Sequence, residues 1–267
     1  MRFDLIALDL DDTLLHGDLS ISEANRLALA RAHAGGAKIV LASGRTIHSM
    51  RKYAELLGLV GPDDFIVATN GAEIVETSTG RVLSESRIDE ALCLEIVQAV
   101  EALGFPWQIY VGGRILYRGW NRWTEEDMRL TGMPSEAIRD VGAALSGGQL
   151  KFVVPGDPGL LSSARDRLAE RFGDRTALVI SKPYFLEFLP AGVDKGRALA
   201  DLVRRFRLKR ERVLAMGDAM NDIAMLEYAG FSCAPANAIP EAKSVASWVS
   251  ALTNDEDFVA DALGRWL

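Results

Sequence analysis

Cysteine and histidine are scarce in this chain. The two cysteines, Cys93 and Cys233, lie far apart and match no metal-ligand spacing, which excludes a cysteine-built metal centre. Both read as free, packed thiols in a reducing compartment. The three histidines, His16, His33 and His48, show no pairing and no metal spacing, so surface or packing roles are expected of them. No run approaches the ~18 apolar residues of a membrane span. The start, Met1-Arg2-Phe3-Asp4, turns acidic too soon for a signal peptide. Positive charge is also in short supply: 30 Lys and Arg face 37 Asp and Glu, for a net charge of −7 and a pI near 5.1. An acidic surface argues against nucleic acid as the main partner, because that binding rests on neutralising phosphates with Lys and Arg. An anionic small molecule fits only with local positive charge at its site. Internal repeats and low-complexity segments are absent. The expectation is a cytoplasmic protein with no membrane and no nucleic-acid partner, a monomer or weak homodimer.

What is there is ordinary globular composition, 49% hydrophobic and 25% charged over 267 residues, enough for one large or two modest cores. The first part alternates strand and helix. Leu5-Ile6-Ala7-Leu8 reads as a buried parallel strand, and Ser20-Ile21-Ser22-Glu23 as a capping box opening a helix that stops at Gly35-Gly36. Lys38 to Ala42 and Phe65 to Ala68 read as further strands, and Ala72 to Ser84 as a hairpin. From about Arg87 to Ser181 the texture shifts to paired strands and helices, the pattern of a separate antiparallel sheet with helices on one face. Strand Phe185 to Leu189 begins a return to alternation. An α/β, doubly wound core (1–85 and 187–267) interrupted by an inserted α+β domain (86–186) accounts for this better than two tandem domains.

Four polar sites fall at strand ends or helix starts of that core, where open α/β sheets bind ligands. Asp9-Leu10-Asp11-Asp12-Thr13 ends the first strand, and side chains at i and i+2 on an extended chain face one way, so Asp9 and Asp11 are expected in one crevice. Ser43-Gly44-Arg45 offers free backbone N–H groups to an anion at a strand–helix junction. Lys195 follows Asp194 at a helix start, opposed to the helix dipole, a position that a negative ligand explains. Gly217-Asp218-Ala219-Met220-Asn221-Asp222 adds two carboxylates and an amide after another apolar strand.

These four sites, in this order, resemble the haloacid dehalogenase superfamily, and Asp11 resembles the acid that its phosphotransferases carry two residues after the nucleophile. Thr69-Asn70-Gly71-Ala72, Gly192 to Gly196, Ala236-Asn237-Ala238 with Lys243, and the tail Leu252 to Asp257 look like the Cof-type phosphatase branch. Asp12, Ala219 and Phe258 depart from its common residues, and Phe258 weakens a ligand role for the tail. The resemblance implies a Rossmann-like core, a mobile inserted cap closing over the crevice, and small phosphorylated metabolites (sugar phosphates, nucleotides or cofactor phosphates) as substrates.

The residues support one expected chemistry. Asp9 is expected to attack phosphorus and form an aspartyl-phosphate, with Asp11 protonating the leaving alkoxide and then activating water. A phosphate dianion at ~4 Å from a carboxylate meets roughly 8 kcal/mol of repulsion at an effective dielectric of about 20. Mg²⁺ held by Asp9, the Asp11 main-chain carbonyl and Asp218, with Asp222 behind, would offset this. Thr13, Ser43, Gly44, Arg45, Lys195 and Asn221 are expected around the phosphate, with Asn70 and Asn237 near the mouth. Bland alternatives stand beside these: Ser43 as an N-cap, Arg45 in a structural ion pair, and Trp107, Tyr110, Tyr117, Trp120 and Trp123 packing the inserted domain rather than stacking on a ligand ring. The rival functions are a phosphomutase or other phosphotransferase on the same fold, and a non-enzymatic receiver-like phosphoacceptor.

Overall fold

The computed structural model describes residues 3–266; Met1 and Arg2, which enter the reading of the amino terminus, lie outside the described residues. Two compact units divide the chain, Met1–Ser84 with Asp194–Leu267 and, between them, Glu85–Val193. In chain order the first unit begins with β1 (Leu5–Leu8), α1 (Glu23–Ala34), β2 (Lys38–Ala42), α2 (Ile47–Leu56), β3 (Phe65–Ala68), β4 (Glu73–Glu76) and β5 (Val82–Glu85). The second unit contributes α3 (Glu90–Ala102), β6 (Trp107–Val111), β7 (Arg114–Arg118), α4 (Arg122–Thr131), β8 (Ser135–Ala137), α5 (Val141–Leu145), β9 (Phe152–Pro155), α6 (Pro158–Phe172), β10 (Thr176–Lys182) and β11 (Phe185–Pro190). The first unit resumes with α7 (Lys195–Arg205), β12 (Val213–Met216), α8 (Ile223–Tyr228), β13 (Phe231–Ala234), α9 (Pro240–Val245), β14 (Trp248–Val249) and α10 (Phe258–Trp266).

The sheet of the first unit runs β14-β13-β12-β1-β2-β3-β4-β5, parallel from β14 to β3 and antiparallel at β3–β4. Strands buried on both faces read as continuous apolar runs, as Leu5–Leu8 and Val213–Met216 do. Ile6 and Leu8 join a core with α1, α2 and α10, whereas Leu5 and Ala7 join one with α7, α8 and α9. Winding outward from β1 in both directions leaves the order reversing between β1 and β12, the point where such sheets hold ligands.

The second unit has its own sheet, β10-β11-β9-β6-β7-β8, antiparallel except at β7–β8. Trp107, Ile109, Phe152, Val154, Leu186 and Phe188 alternate onto the face covered by α3 and α6. The intervening residues differ in kind: the Gln108 amide and Tyr110 hydroxyl both donate to Asp127 of α4, and Lys151 pairs with Glu187 at 3.1 Å.

Three expectations need correction. Strand Phe185–Pro190 pairs with β9 and β10 in the second sheet, so the boundary falls after Val193 rather than before Glu187. A central antiparallel strand buried on both faces has the same apolar signature as a parallel core strand. Ser22, not Ser20, caps α1 by accepting from Asn25 N at 3.1 Å. Ser20 belongs to the preceding turn, its N–H donating to Asp18 Oδ1 at 2.9 Å. Of the five aromatic residues named above, Trp107 packs the core against Phe152, whereas Trp120 stands 55% exposed beside Tyr117.

Candidate active site

β1 ends at Leu8, and Asp9 follows it still tied to the sheet, its N–H donating to Met216 O at 3.0 Å. An irregular turn then runs over Leu10–Leu14, with Asp12 in the left-handed region (φ 59°). Asp11 therefore lies on that turn and not on the strand. Asp9 is buried, whereas the Asp11 side chain keeps 38% of its surface exposed.

Lys195 opens α7 and is wholly buried. Its ammonium donates to Asp9 Oδ1 at 2.5 Å and to Asp222 Oδ1 at 2.6 Å. Two glycines let this helix start come so close. A Cβ at Gly196 would stand 2.3 Å from Ala224 O in α8, and one at Gly71 (φ +99°) would stand 2.5 Å from Asp194 O. The Asp222 carboxylate also accepts the Asp218 and Ala219 N–H groups, each at 3.0 Å, and so shapes the loop after β12. Thr13 Oγ1 donates to Asp218 Oδ1 at 2.7 Å, tying the turn after β1 to that loop. The Thr13 hydroxyl is thus directed at a carboxylate, not at a space for phosphate.

One buried ammonium meets three buried carboxylates here, and atoms of Asp9, Asp218 and Asp222 lie within 4.8 Å of one another. Burial raises the Asp9 carboxyl well above its usual range; the Lys195 ammonium opposes the rise, and Asp222, Asp218 and Asp11 add to it. Burial, with the neighbouring Asp222, pushes Asp218 up to about 7. Burial alone would lower Lys195, but Asp222 and Asp9 override it and raise that group above its usual value. Hard oxygen donors that carry two negative charges in excess once all three are ionised fit a divalent cation. Asp9 and Asp218 retain lone pairs for one, whereas Asp222 is already engaged by Lys195 and two N–H groups.

The pH dependence has a definite sign. A carboxyl raised from 3.8 to about 7 stabilises the fold while protonated, and that contribution is lost as pH rises through 7. A divalent cation bound by these carboxylates would take the place of the proton. The rise in melting temperature produced by saturating Mg²⁺ is therefore expected to be larger at pH 8 than at pH 5.5. An equal rise at both would contradict the crowded-carboxylate account.

The junction after β2 supplies the other half of the site. Ser43 is buried, and its hydroxyl accepts Arg45 N at 3.2 Å, a turn-closing bond. Gly44 packs on the Asn70 side chain, 3.1 Å from a would-be Cβ. Asn70 stands at φ 55° and accepts the Asn221 amide at 3.0 Å, joining this junction to the loop after β12. Arg45 turns the other way, its Nε and Nη2 gripping Asp11 Oδ2 and Oδ1 at 2.8 and 2.6 Å. Its guanidinium is in an ion pair with the turn after β1, the blander of the two expectations.

Asn237 is exposed, donating to Asp12 O at 2.8 Å and accepting Asn254 N at 3.0 Å. Asn254 itself is missing from the expected set. Buried, it donates to Leu15 O at 2.8 Å, and the neighbouring Asp255 accepts Gly17 N. The tail braces the acid-bearing turn, and Phe258 is buried in the core below it. A polar Asn-Asp pair just ahead of an apolar helix was the available signal.

Comparison with known proteins agrees with this geometry. The profile of the haloacid dehalogenase-like hydrolases matches residues 6–263. A 5-amino-6-(5-phospho-D-ribitylamino)uracil phosphatase of Bacillus subtilis is 30% identical over 98% of this chain and 95% of its own. An HMP-PP phosphatase of Citrobacter koseri is 30% identical over 89% of this chain and 85% of its own. The crystal structure of a haloacid dehalogenase-like hydrolase from Bacteroides thetaiotaomicron matches at a TM-score of 0.94 and 30% identity, over 100% of both chains. With a match over nearly its whole length and relatives that are phosphatases, the chain belongs to the haloacid dehalogenase-like hydrolases, in their Cof-type phosphatase branch.

Proposed function

We propose that this phosphatase hydrolyses small-molecule phosphate monoesters with Mg²⁺, through an aspartyl-phosphate on Asp9. The observation that carries the reading is the buried Lys195 ammonium between Asp9 and Asp222, with Asp218 adjacent, where β1 and β12 end. Asp9 Oδ1 is engaged by Lys195, and Oδ2 serves as the attacking oxygen.

In the first step the Asp9 oxygen bonds to phosphorus, the ester P–O bond breaks, and Asp11 gives its proton to the departing alkoxide. In the second, water attacks phosphorus, its proton passes to Asp11, and the Asp9–phosphorus bond opens to return the carboxylate. Lys195, Ser43, the Gly44 N–H and Asn221 hold phosphate oxygens; Thr13 holds Asp218. Mg²⁺ held by Asp9, the Asp11 main-chain carbonyl and Asp218, with Asp222 behind, would supply the charge neutralisation that a dianion needs beside carboxylates.

The relatives named for a phosphoribityl-aminouracil and for HMP-PP support a small phosphorylated metabolite as substrate. A cytoplasmic location is supported by the two buried thiols, each pushed up to about 12 chiefly by burial and so inert. No helix among the described residues is long and apolar enough to cross a membrane.

Incubation with a panel of phosphorylated metabolites is expected to release inorganic phosphate from a few of them. EDTA should stop the release and Mg²⁺ restore it; indifference to both would reject the metal, and products without inorganic phosphate would point to a mutase. For Asp11→Asn, kcat/KM should fall by about 10²-fold or more on alkyl phosphates and far less on p-nitrophenyl phosphate, whose leaving group needs no proton. Equal losses on both would remove Asp11 from the acid role.

A further inference from the structure

The grip of Arg45 on Asp11 goes beyond what the phosphatase reading requires. Both carboxylate oxygens accept guanidinium N–H groups, in the two-point geometry that fixes orientation as well as charge. Arg45 is itself held. Its N–H donates to Ser43 Oγ, its carbonyl accepts Thr69 N at 2.9 Å, and its guanidinium lies 5.7 Å from the ring centre of buried Tyr53. Only 14% of its side chain is exposed. The arm is stiff, and it reaches from the junction after β2 to the turn after β1.

A carboxylate whose two oxygens both accept from one guanidinium is set as a proton acceptor. To donate a proton it must first release one contact, since a carboxylic O–H cannot point at an N–H donor. The two steps assigned to Asp11 therefore use the pair differently. The first needs the pair open on one side. The second, in which Asp11 accepts a proton from water, uses the group in the geometry observed.

We infer that Arg45 is a positioning residue for the second step: it holds Asp11 as the base that hydrolyses the aspartyl-phosphate, and it does not contact the substrate phosphate. In that step the water oxygen bonds to phosphorus, the bond from phosphorus to the Asp9 oxygen breaks with its electron pair, and the water proton moves to Asp11. Arg45 exchanges no proton. This rests on the aspartyl-phosphate reading of Asp9.

The test separates the steps kinetically. With p-nitrophenyl phosphate, whose leaving group needs no acid, kcat/KM reports events up to formation of the aspartyl-phosphate, and kcat reports its hydrolysis when that is slower. Arg45→Ala is expected to lower kcat about tenfold or more. It should lower KM nearly in parallel and leave kcat/KM within about threefold. A burst of one p-nitrophenolate per enzyme should precede the slow steady rate. R45K, with the charge but not the two-point grip, should recover part of kcat. If Arg45→Ala does not fold, as judged by circular dichroism, the same split is read on R45K, where a smaller fall in kcat at constant kcat/KM is expected.

A fall in kcat/KM that matches the fall in kcat, or a raised KM, would overturn the inference in favour of a phosphate contact or a general structural role. Unchanged kinetics would overturn it as well. Asp9→Asn, run alongside, keeps the two readings apart: a still active D9N protein sinks the aspartyl-phosphate itself. An inactive D9N with unchanged Arg45→Ala kinetics sinks only the role given to Arg45.

Discussion

Asp9→Asn is expected to lower kcat about 10⁴-fold or more, the scale seen when a covalent nucleophile is removed. The replacement keeps the volume and loses the charge, so the loss is chemical rather than steric. Stability should move the other way. Asp9 is buried, and the surroundings raise its carboxyl well above the usual range, chiefly through desolvation. A group with a raised folded-state value stabilises the fold fully below its unfolded value, and that contribution is lost as pH rises through the folded one. An amide escapes this cost, and Lys195 keeps Asp222 as a partner at 2.6 Å. The variant should therefore melt no lower than the parent at pH 7.5 in the absence of metal. Substantial retained turnover would sink the nucleophile assignment, and a much lower melting temperature would sink the electrostatic account.

Lys195→Met is expected to damage both properties. Its ammonium is the buried cation against Asp9 and Asp222, with Asp218 nearby. Breaking such a pair by removing one partner costs about 3–5 kcal/mol, because the other charges stay buried without compensation. The cost should be largest at pH 8 and shrink towards pH 5.5, where the carboxylates can take protons instead. Mg²⁺ should restore part of the melting temperature and little of the activity, since the phosphate would still lack the ammonium. An equal melting temperature for variant and parent in metal-free buffer at pH 8 would contradict this reading of the cluster.

Much of the core was legible because its strands are buried on both faces. Leu5–Leu8, Lys38–Ala42, Phe65–Ala68 and Val213–Met216 all read as apolar runs, and the chemistry-bearing motifs follow three of them. The same signature misled at Phe185–Pro190, since burial on both faces does not say whether a strand is parallel. The site divides along similar lines. Asp9, Lys195, Asp218 and Asp222 converge as their places at strand ends and a helix start suggested. The orientation of Asp11 did not follow from its spacing, because an irregular turn with Asp12 in the left-handed region intervenes where a continuing strand was assumed. Pairings between distant segments, such as Thr13 with Asp218, Arg45 with Asp11 and Asn254 with Leu15, leave no local trace. They depend on which polar groups the fold brings within reach, and a single chain does not record that.

The central claim is that phosphate resides on Asp9 between two chemical steps. The most direct measurement is an acid quench within the first turnover, followed by proteolysis and mass spectrometry of the peptide that carries Asp9. The account predicts one phosphate on that carboxylate, absent from Asp9→Asn and more abundant in Arg45→Ala. Phosphate release from the wild-type protein with the Asp9 peptide unmodified throughout, or phosphate on any other side chain, would contradict it.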